Sequence, residues 1–310
     1  MSERLFTDDE LVELTMPYRD RVAAAIEQVV EAGRRSDGDG TDAADALAAL
    51  VADIERQQQR FVAGFHQFVA AIQEWLVLRA QSDETTPIEV LTALDRHLHE
   101  SSLVDITTYG APSPDIDADG ITEIVARALS GDADGALAEL DRRQADLLRR
   151  HDLAVDRVAA ALTFVYREMG VDELEACLRH CGARTLLAWM PHDLARPLDV
   201  RIRHWVRLGL ANFATLRAEE TDDEIVLVQD PCGTCSRQVL QGAYGPPLDF
   251  AVVTEPHPIT WQRGDTPVYR THVAVMHDLM PREAIGETWP RIECPAGVTA
   301  GPCRQRFPKR

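Results

Sequence analysis

Asp132 to Met169 reads DADGALAELDRRQADLLRRHDLAVDRVAAALTFVYREM, and its pattern decides what kind of chain this is. Leu137, Leu140, Gln144, Leu147, His151, Val155, Val158, Leu162, Val165 and Met169 fall three or four residues apart throughout. Side chains at that spacing share one face of an α-helix, so the segment is expected as one long helix in an antiparallel bundle or along a dimer seam. Gly170 is the expected stop. His151 sits on the apolar stripe beside Asp152. Two readings are open for it: a polar residue that fixes register through a hydrogen bond, or a ligand projected into an interior cavity.

Towards the N-terminus the same period recurs. Asp8 to Arg35 reads as a first helix that Pro17 kinks or restarts. Ser36 to Gly40 is a flexible linker, and Asp42 to Arg79 a long helix carrying Leu47, Val51, Phe65, Ile72 and Leu76. Thr86-Pro87-Ile88-Glu89 combines an N-cap hydroxyl, a proline at the first helical position and a glutamate three residues on, opening a helix to about Glu100. Gly110 to Asp119 must be a loop, and Ile121 to Leu129 a short helix.

Beyond Gly170, Asp172 is the expected cap of a helix closed by Gly182. Cys177 and Cys181 lie beside Leu174 and Leu178 on its apolar face, read as buried, inert thiols, and His180 faces solvent. Trp189 to Asp193 reads as a loop, and Asp199 to Ala218 as a last helix running into an acidic boundary.

There the period changes. Ile225 to Gln229, Phe250 to Thr254 and Val268 to Met276 read as short strands among Pro- and Gly-rich connections. The expected fold is therefore mainly α: an N-terminal helical bundle over residues 1–220, then a small C-terminal α+β metal-binding domain over 221–310. A domain that small, with few aliphatic runs, is one where a metal supplies folding energy.

Composition limits the function classes. The net charge of −19, from 32 basic against 51 acidic residues, leaves no clustered cations for phosphate backbones, so nucleic acid is not an expected partner. Anionic membranes are disfavoured for the same reason, and no apolar run approaches the about 18 residues a membrane helix needs. The first residues lack a basic stretch followed by an apolar one, so a cytoplasmic protein with reduced thiols is expected.

Four of the six cysteines fall between Asp230 and Cys303 together with His257, His272 and His277. Cys232-Gly233-Thr234-Cys235 is a Cys-x2-Cys turn, which points two sulfurs at one spot. Cys and His are the ligands that zinc, and alternatively iron or copper, select. The expected metal ligands are Cys232, Cys235, His272, His277 and Cys303, with Cys294 able to replace a histidine. Three ligands plus water would make the site catalytic, and four would make it structural. A metal-free alternative makes Cys232 a thiolate nucleophile. Asp230, Glu255 and Glu283 are each candidates to orient a ligand histidine or act as general base, Glu283 foremost; His257 is a further candidate ligand or catalytic residue, and Arg270 the candidate partner for a substrate anion.

This C-terminal stretch resembles a module found in bacterial proteins that also carry a helical N-terminal region. Its pattern runs Asp-Pro-Cys-Gly-Ser-Gly-Gly, His-Pro-Trp, Tyr-Cys-x-His-Cys, a following Glu and a final Pro-Cys. Asp230-Pro231-Cys232-Gly233, His257-Pro258, Tyr269, His272, Glu283 and Pro302-Cys303 stand at matching positions over roughly the last 80 residues. The resemblance implies a recurring Cys/His module and nothing about substrate. Arg270 and Val273 replace the two cysteines around the histidine, while Cys235 and His277 appear where the pattern does not ask for them. The expected function is a zinc-dependent enzyme that hydrolyses or eliminates from a small polar metabolite, acting as a homodimer. The rival is a non-enzymatic dimerisation or regulatory protein with a structural zinc.

Overall fold

The computed structural model describes residues 4–34, 40–82, 86–101 and 118–309. Of the expected linker Ser36 to Gly40 all but Gly40, and of the expected loop Gly110 to Asp119 all up to Asp117, lie outside them. Ala118 and Asp119, taken for the end of that loop, already belong to a helix.

Pro17 does divide the first helical segment, into α1 (Asp8–Thr15) and α2 (Tyr18–Arg34), because a proline forces Met16 before it into an extended conformation, with ψ 130°. Then come α3 (Thr41–Ser82), α4 (Pro87–Ser101), α5 (Ala118–Leu129) and α6 (Ala133–Met169), the last capped by Asp132. The two long helices pack on each other. Glu55, Gln58 and Phe65 of α3 meet Arg143, Gln144 and His151 of α6 in rising order, so the pair runs parallel and not antiparallel as expected. The two apolar stripes therefore meet within one chain over much of their length.

Near their N-terminal halves Leu47, Val51 and Ile54 share a core with Val22, Ile26, Ile124 and Leu140. Further along, Ile72 and Leu76 meet Val155, Val158 and Leu162 in a second core, which continues without a break into Cys232, Phe250 and Val268. Between the two cores the buried Glu55 and Arg143 form a bidentate pair at 2.7 Å, and Gln58 bonds Gln144 at 2.6 Å. A buried pair of this kind adds little net stability, but it tolerates only one register.

By length and composition α3 is apolar enough to cross a membrane, contrary to the expectation that no such run exists, and 33% of that window is buried inside the protein. It packs against α2, α6 and α7.

The remaining helices are α7 (Val171–Arg184), α8 (Met190–Leu194) and α9 (Leu198–Ala211). Gly170, not Asp172, is the N-cap of α7, and the helix runs two residues past Gly182. Cys177 and Cys181 are fully buried, as read. His180 is half-buried against Glu74 at 3.1 Å rather than free in solvent. The expected loop Trp189 to Asp193 is mostly helical because Asp193 has buried partners: it accepts from the indoles of Trp289 at 2.8 Å and Trp205 at 3.3 Å and from Arg201 at 3.1 Å.

Helix α9 stops at Ala211, where the sequence carries no glycine or proline to announce it. Residues Leu216–Glu220 are strand β1, and the acidic run read as a boundary is its hairpin to β2 (Glu224–Gln229). A short α10 (Cys235–Leu240) follows, then β3 (Val252–Val253) and β4 (Thr266–Pro267), which pair with each other. Finally β5 (Arg291–Glu293) and β6 (Cys303–Pro308) complete an antiparallel sheet in the order β1-β2-β6-β5.

The third expected strand is wrong. Residues 268–285 form a compound helix: a 3-10 turn, one α turn, a π segment from Ala274 to Leu279, and an α end. From Thr266 to His277 every residue except half-buried His272 is buried. A helix buried on all sides has no polar face, so its sequence shows no 3.6-residue period and its β-branched residues mimic a strand.

Candidate functional site

The Cys-x2-Cys turn joins β2 to α10 and is pressed against the C-terminal end of α9. Thr215 N–H donates to Pro231 O at 3.1 Å, and Asp230 N–H to Thr215 O at 2.9 Å. Gly233 has no alternative here, since a Cβ on it would sit 1.4 Å from Asn212 O. Cys232 Sγ then accepts the Ser236 N–H at 3.1 Å from the first turn of α10, and Cys235 Sγ lies 3.8 Å from Thr234 Oγ1.

Two more sulfurs arrive from the sheet. Cys294 follows β5 and Cys303 opens β6, and their Sγ atoms stand 4.0 Å apart. Cys303 also reaches Cys232, which in turn contacts Cys235, so four thiols from three separate segments form one chain of contacts. Hydrogen bonds from Cys235 and then Cys303 hold the Cys232 thiol well below the ordinary cysteine range. Cys235 and Cys303, each bonded to Cys232, are pushed up. Among the described residues no three His, Cys, Asp or Glu side chains already enclose a point as ion ligands.

The histidines divide. His272, on the compound helix, donates from Nδ1 to Tyr269 O and lies close enough to Cys232 for that sulfur to favour its charged form, although burial holds it below the ordinary imidazole range. With Nδ1 engaged, Nε2 is the nitrogen left with a lone pair. His277 donates from Nδ1 to Trp289 O at 2.8 Å and stacks on the Trp289 ring; burial lowers it to about 4, which keeps it neutral. Both histidines line a cavity of about 710 Å³ whose floor carries Cys232, Cys235, Cys294 and Cys303.

The three candidate catalytic residues lie elsewhere. Arg270 is 1% exposed and donates to three backbone carbonyls, Pro295 O and Gly297 O at 2.7 Å and Thr299 O at 2.9 Å. It braces the loop between Cys294 and Cys303 and faces no substrate space. His257 caps a short 3-10 turn and sits 3.1 Å from Asp172. Glu283 is exposed and pairs with Arg179 at 2.7 and 2.9 Å. Among the residues lining the cavity Asp53 is the sole carboxylate, at the end away from the sulfurs.

Cys294, expected only as a replacement for a histidine, stands beside Cys303. Its signal was the Cys294–Cys303 spacing, which a hairpin of β5 and β6 turns into a neighbouring pair. His151, by contrast, behaves as a register residue: Nδ1 lies 3.1 Å from Asp152 Oδ1 and Nε2 2.7 Å from Asn212 Oδ1. No protein-family model matches the chain, and neither a curated protein nor a solved structure does. The resemblance of the C-terminal module therefore stands on its motif residues alone.

Proposed function

We propose that Cys232, Cys235, Cys294 and Cys303 bind one zinc ion, and that this centre fastens the C-terminal sheet to the helical bundle in a protein whose work is binding, not hydrolysis. The observation that carries the reading is the convergence of four sulfurs from three segments in a buried place. Zinc–sulfur bonds of about 2.3 Å arranged tetrahedrally put sulfurs about 3.8 Å apart. The 4.0 Å between Cys294 and Cys303 needs only a small closure to meet that. Four-sulfur tetrahedral geometry suits zinc and iron, and copper(II) poorly.

The Ser236 N–H on Cys232 and the buried Arg270 charge near Cys235 both favour thiolates there. The departures from the bacterial pattern also fit. Where Arg270 and Val273 replace two cysteines, Cys235 and Cys294 supply sulfurs instead. Four protein ligands leave no position for water. The carboxylates that hydrolysis or elimination would use, Glu283 and Glu255, are engaged at the surface by Arg179 and Tyr166.

One observation favours the enzyme reading. His272 lines the cavity beside Cys232 with its Nδ1 already engaged, and Cys294 is the least buried of the four sulfurs. A three-thiolate centre with His272 at the open side would be catalytic in form.

Metal analysis of purified protein, repeated on Cys→Ser variants and on His272→Ala, separates these. The expected result is one zinc per chain, lost in each Cys→Ser variant and kept in His272→Ala. Retention in Cys294→Ser with loss in Cys303→Ser would move the assignment to the three-thiolate site. Full occupancy in both Cys232→Ser and Cys303→Ser would remove the metal altogether.

A further inference from the structure

Helix α3 does not spend all of its length on the bundle. From Gln57 to Phe68 one of its faces looks into the cavity, with Phe61, Gly64, Phe65 and Phe68 in succession. The opposite wall is built by Trp189 and by Trp205 and Leu208 of α9. The volume, about 710 Å³, falls in the range of sites that enclose a small organic molecule.

Gly64 is the telling residue. A glycine inside a helix is unfavourable relative to alanine, and it is usually kept because something packs too closely for a methyl group. Nothing does so here. A Cβ built on Gly64 meets no atom within 4 Å, and the backbone there is ordinary right-handed helix. Gly64 is exposed on the open side of the cavity, between the ring-bearing positions Phe61, Phe65 and Phe68, and leaves that stretch of the wall without a side chain.

The end of the cavity away from the cysteines carries Arg60 and Arg207. Acids outnumber bases 51 to 32 in this chain, yet neither guanidinium has a side-chain partner among the described residues. Asp53, at the same end, is already bonded to Gln57 at 2.5 Å. Flat aromatic walls with free guanidinium groups at one mouth are complementary to a molecule with a flat apolar body and one terminal carboxylate.

We propose that this cavity binds an aromatic carboxylate, with the ring system over Gly64 and the carboxylate at Arg60 and Arg207. Rings of two or three fused members fit, because α3 rises about 16 Å between Gln57 and Phe68. The site is independent of the metal reading. It departs from the expectation of a small polar metabolite: Gln57, His204 and Asn212 also line the cavity, but the α3 and α9 walls are mainly aromatic.

The probe is 2-naphthoate, followed by calorimetry on protein of measured metal content, with methyl 2-naphthoate as the uncharged control. The expected result is saturable binding of naphthoate at micromolar concentration, at least tenfold tighter than the ester. Gly64→Leu fills the space and should weaken both probes tenfold or more, while its thermal midpoint shows that the fold persists. Gly64→Ala serves as a milder variant should the leucine fail to fold. Arg60→Gln with Arg207→Gln should weaken naphthoate tenfold and leave the ester unchanged. Absence of saturable binding, or wild-type affinity in both Gly64 variants, overturns the site. Equal affinity for naphthoate and its ester overturns the carboxylate.

Discussion

Arg270 Nη1 donates to Pro295 O at 2.7 Å, and that bond, with those to Gly297 and Thr299, ties the loop between Cys294 and Cys303 to the compound helix. The guanidinium takes the place that loop residues would otherwise fill with one another. Removing it strands three carbonyls in a buried setting. Arg270→Ala should cost about 2–4 kcal/mol in denaturant unfolding. Its zinc content should fall as well, because the two sulfurs it spaces lose their frame. A change below about 0.5 kcal/mol would show that the loop holds itself.

Gly233→Ala tests the contact between the Cys-x2-Cys turn and α9. The added methyl would overlap Asn212 O, a backbone atom that cannot swing aside. A loss of about 3 kcal/mol or more is expected, read as a lowered midpoint or as failure to fold. Wild-type stability would mean that the turn does not lie against α9.

Asp156 gives a pH dependence of unusual sign. Burial raises its carboxyl to about 6, and Gln238 Nε2 donates to it at 2.9 Å. In the unfolded chain the group ionises near its ordinary 3.8. Between those values the folded state holds the proton more tightly, so the contribution of this group to stability is lost as pH rises from about 4 to about 6. Asp156→Asn should therefore stabilise by on the order of 2 kcal/mol at pH 7 and by almost nothing at pH 4. Denaturant midpoints at the two values measure it, and an equal effect at both would assign the gain to packing.

Cys177 and Cys181 are buried beside Leu174 and Leu178, and burial raises the Cys177 thiol well above its ordinary range. Alanine at either position should cost on the order of 1 kcal/mol and leave zinc content unchanged. Thiol titration of the native protein should find both unreactive. Loss of metal with an intact fold would make them ligands.

Glu283→Gln breaks an exposed pair with Arg179, and such pairs contribute about 0–1 kcal/mol. Stability, zinc content and naphthoate binding should all stay at wild-type levels. A large effect on any of them would return Glu283 to the site.

The helices were legible because each half-buried one shows a polar face. The 3.6-residue stripe on α6 marked His151 and Gln144 as interior residues, and both have interior partners. What the stripe could not give was direction: parallel and antiparallel neighbours demand the same pattern, so the Glu55–Arg143 contact was invisible in the sequence. That Cys232, Cys235 and Cys303 would come together with His272 beside them was legible from side-chain chemistry and turn spacing. The compound helix was not, since a segment buried on every side shows no period. Arg270 was misread for a related reason. A cation among acids suggests a substrate anion, and only the fold reveals three carbonyls closing over it.

In the sheet, Cys303 stands opposite Gln229, three residues before Cys232 on the neighbouring strand's continuation. Side chains alternate faces along a strand, so sliding β6 by one residue would turn the Cys303 sulfur away from its companions and bring Pro302 or Arg304 into its place. Ion capture would then fail in any misaligned chain and succeed in the aligned one. Under the proposed zinc centre, metal binding would reward one register of β6 on β2 over its neighbours.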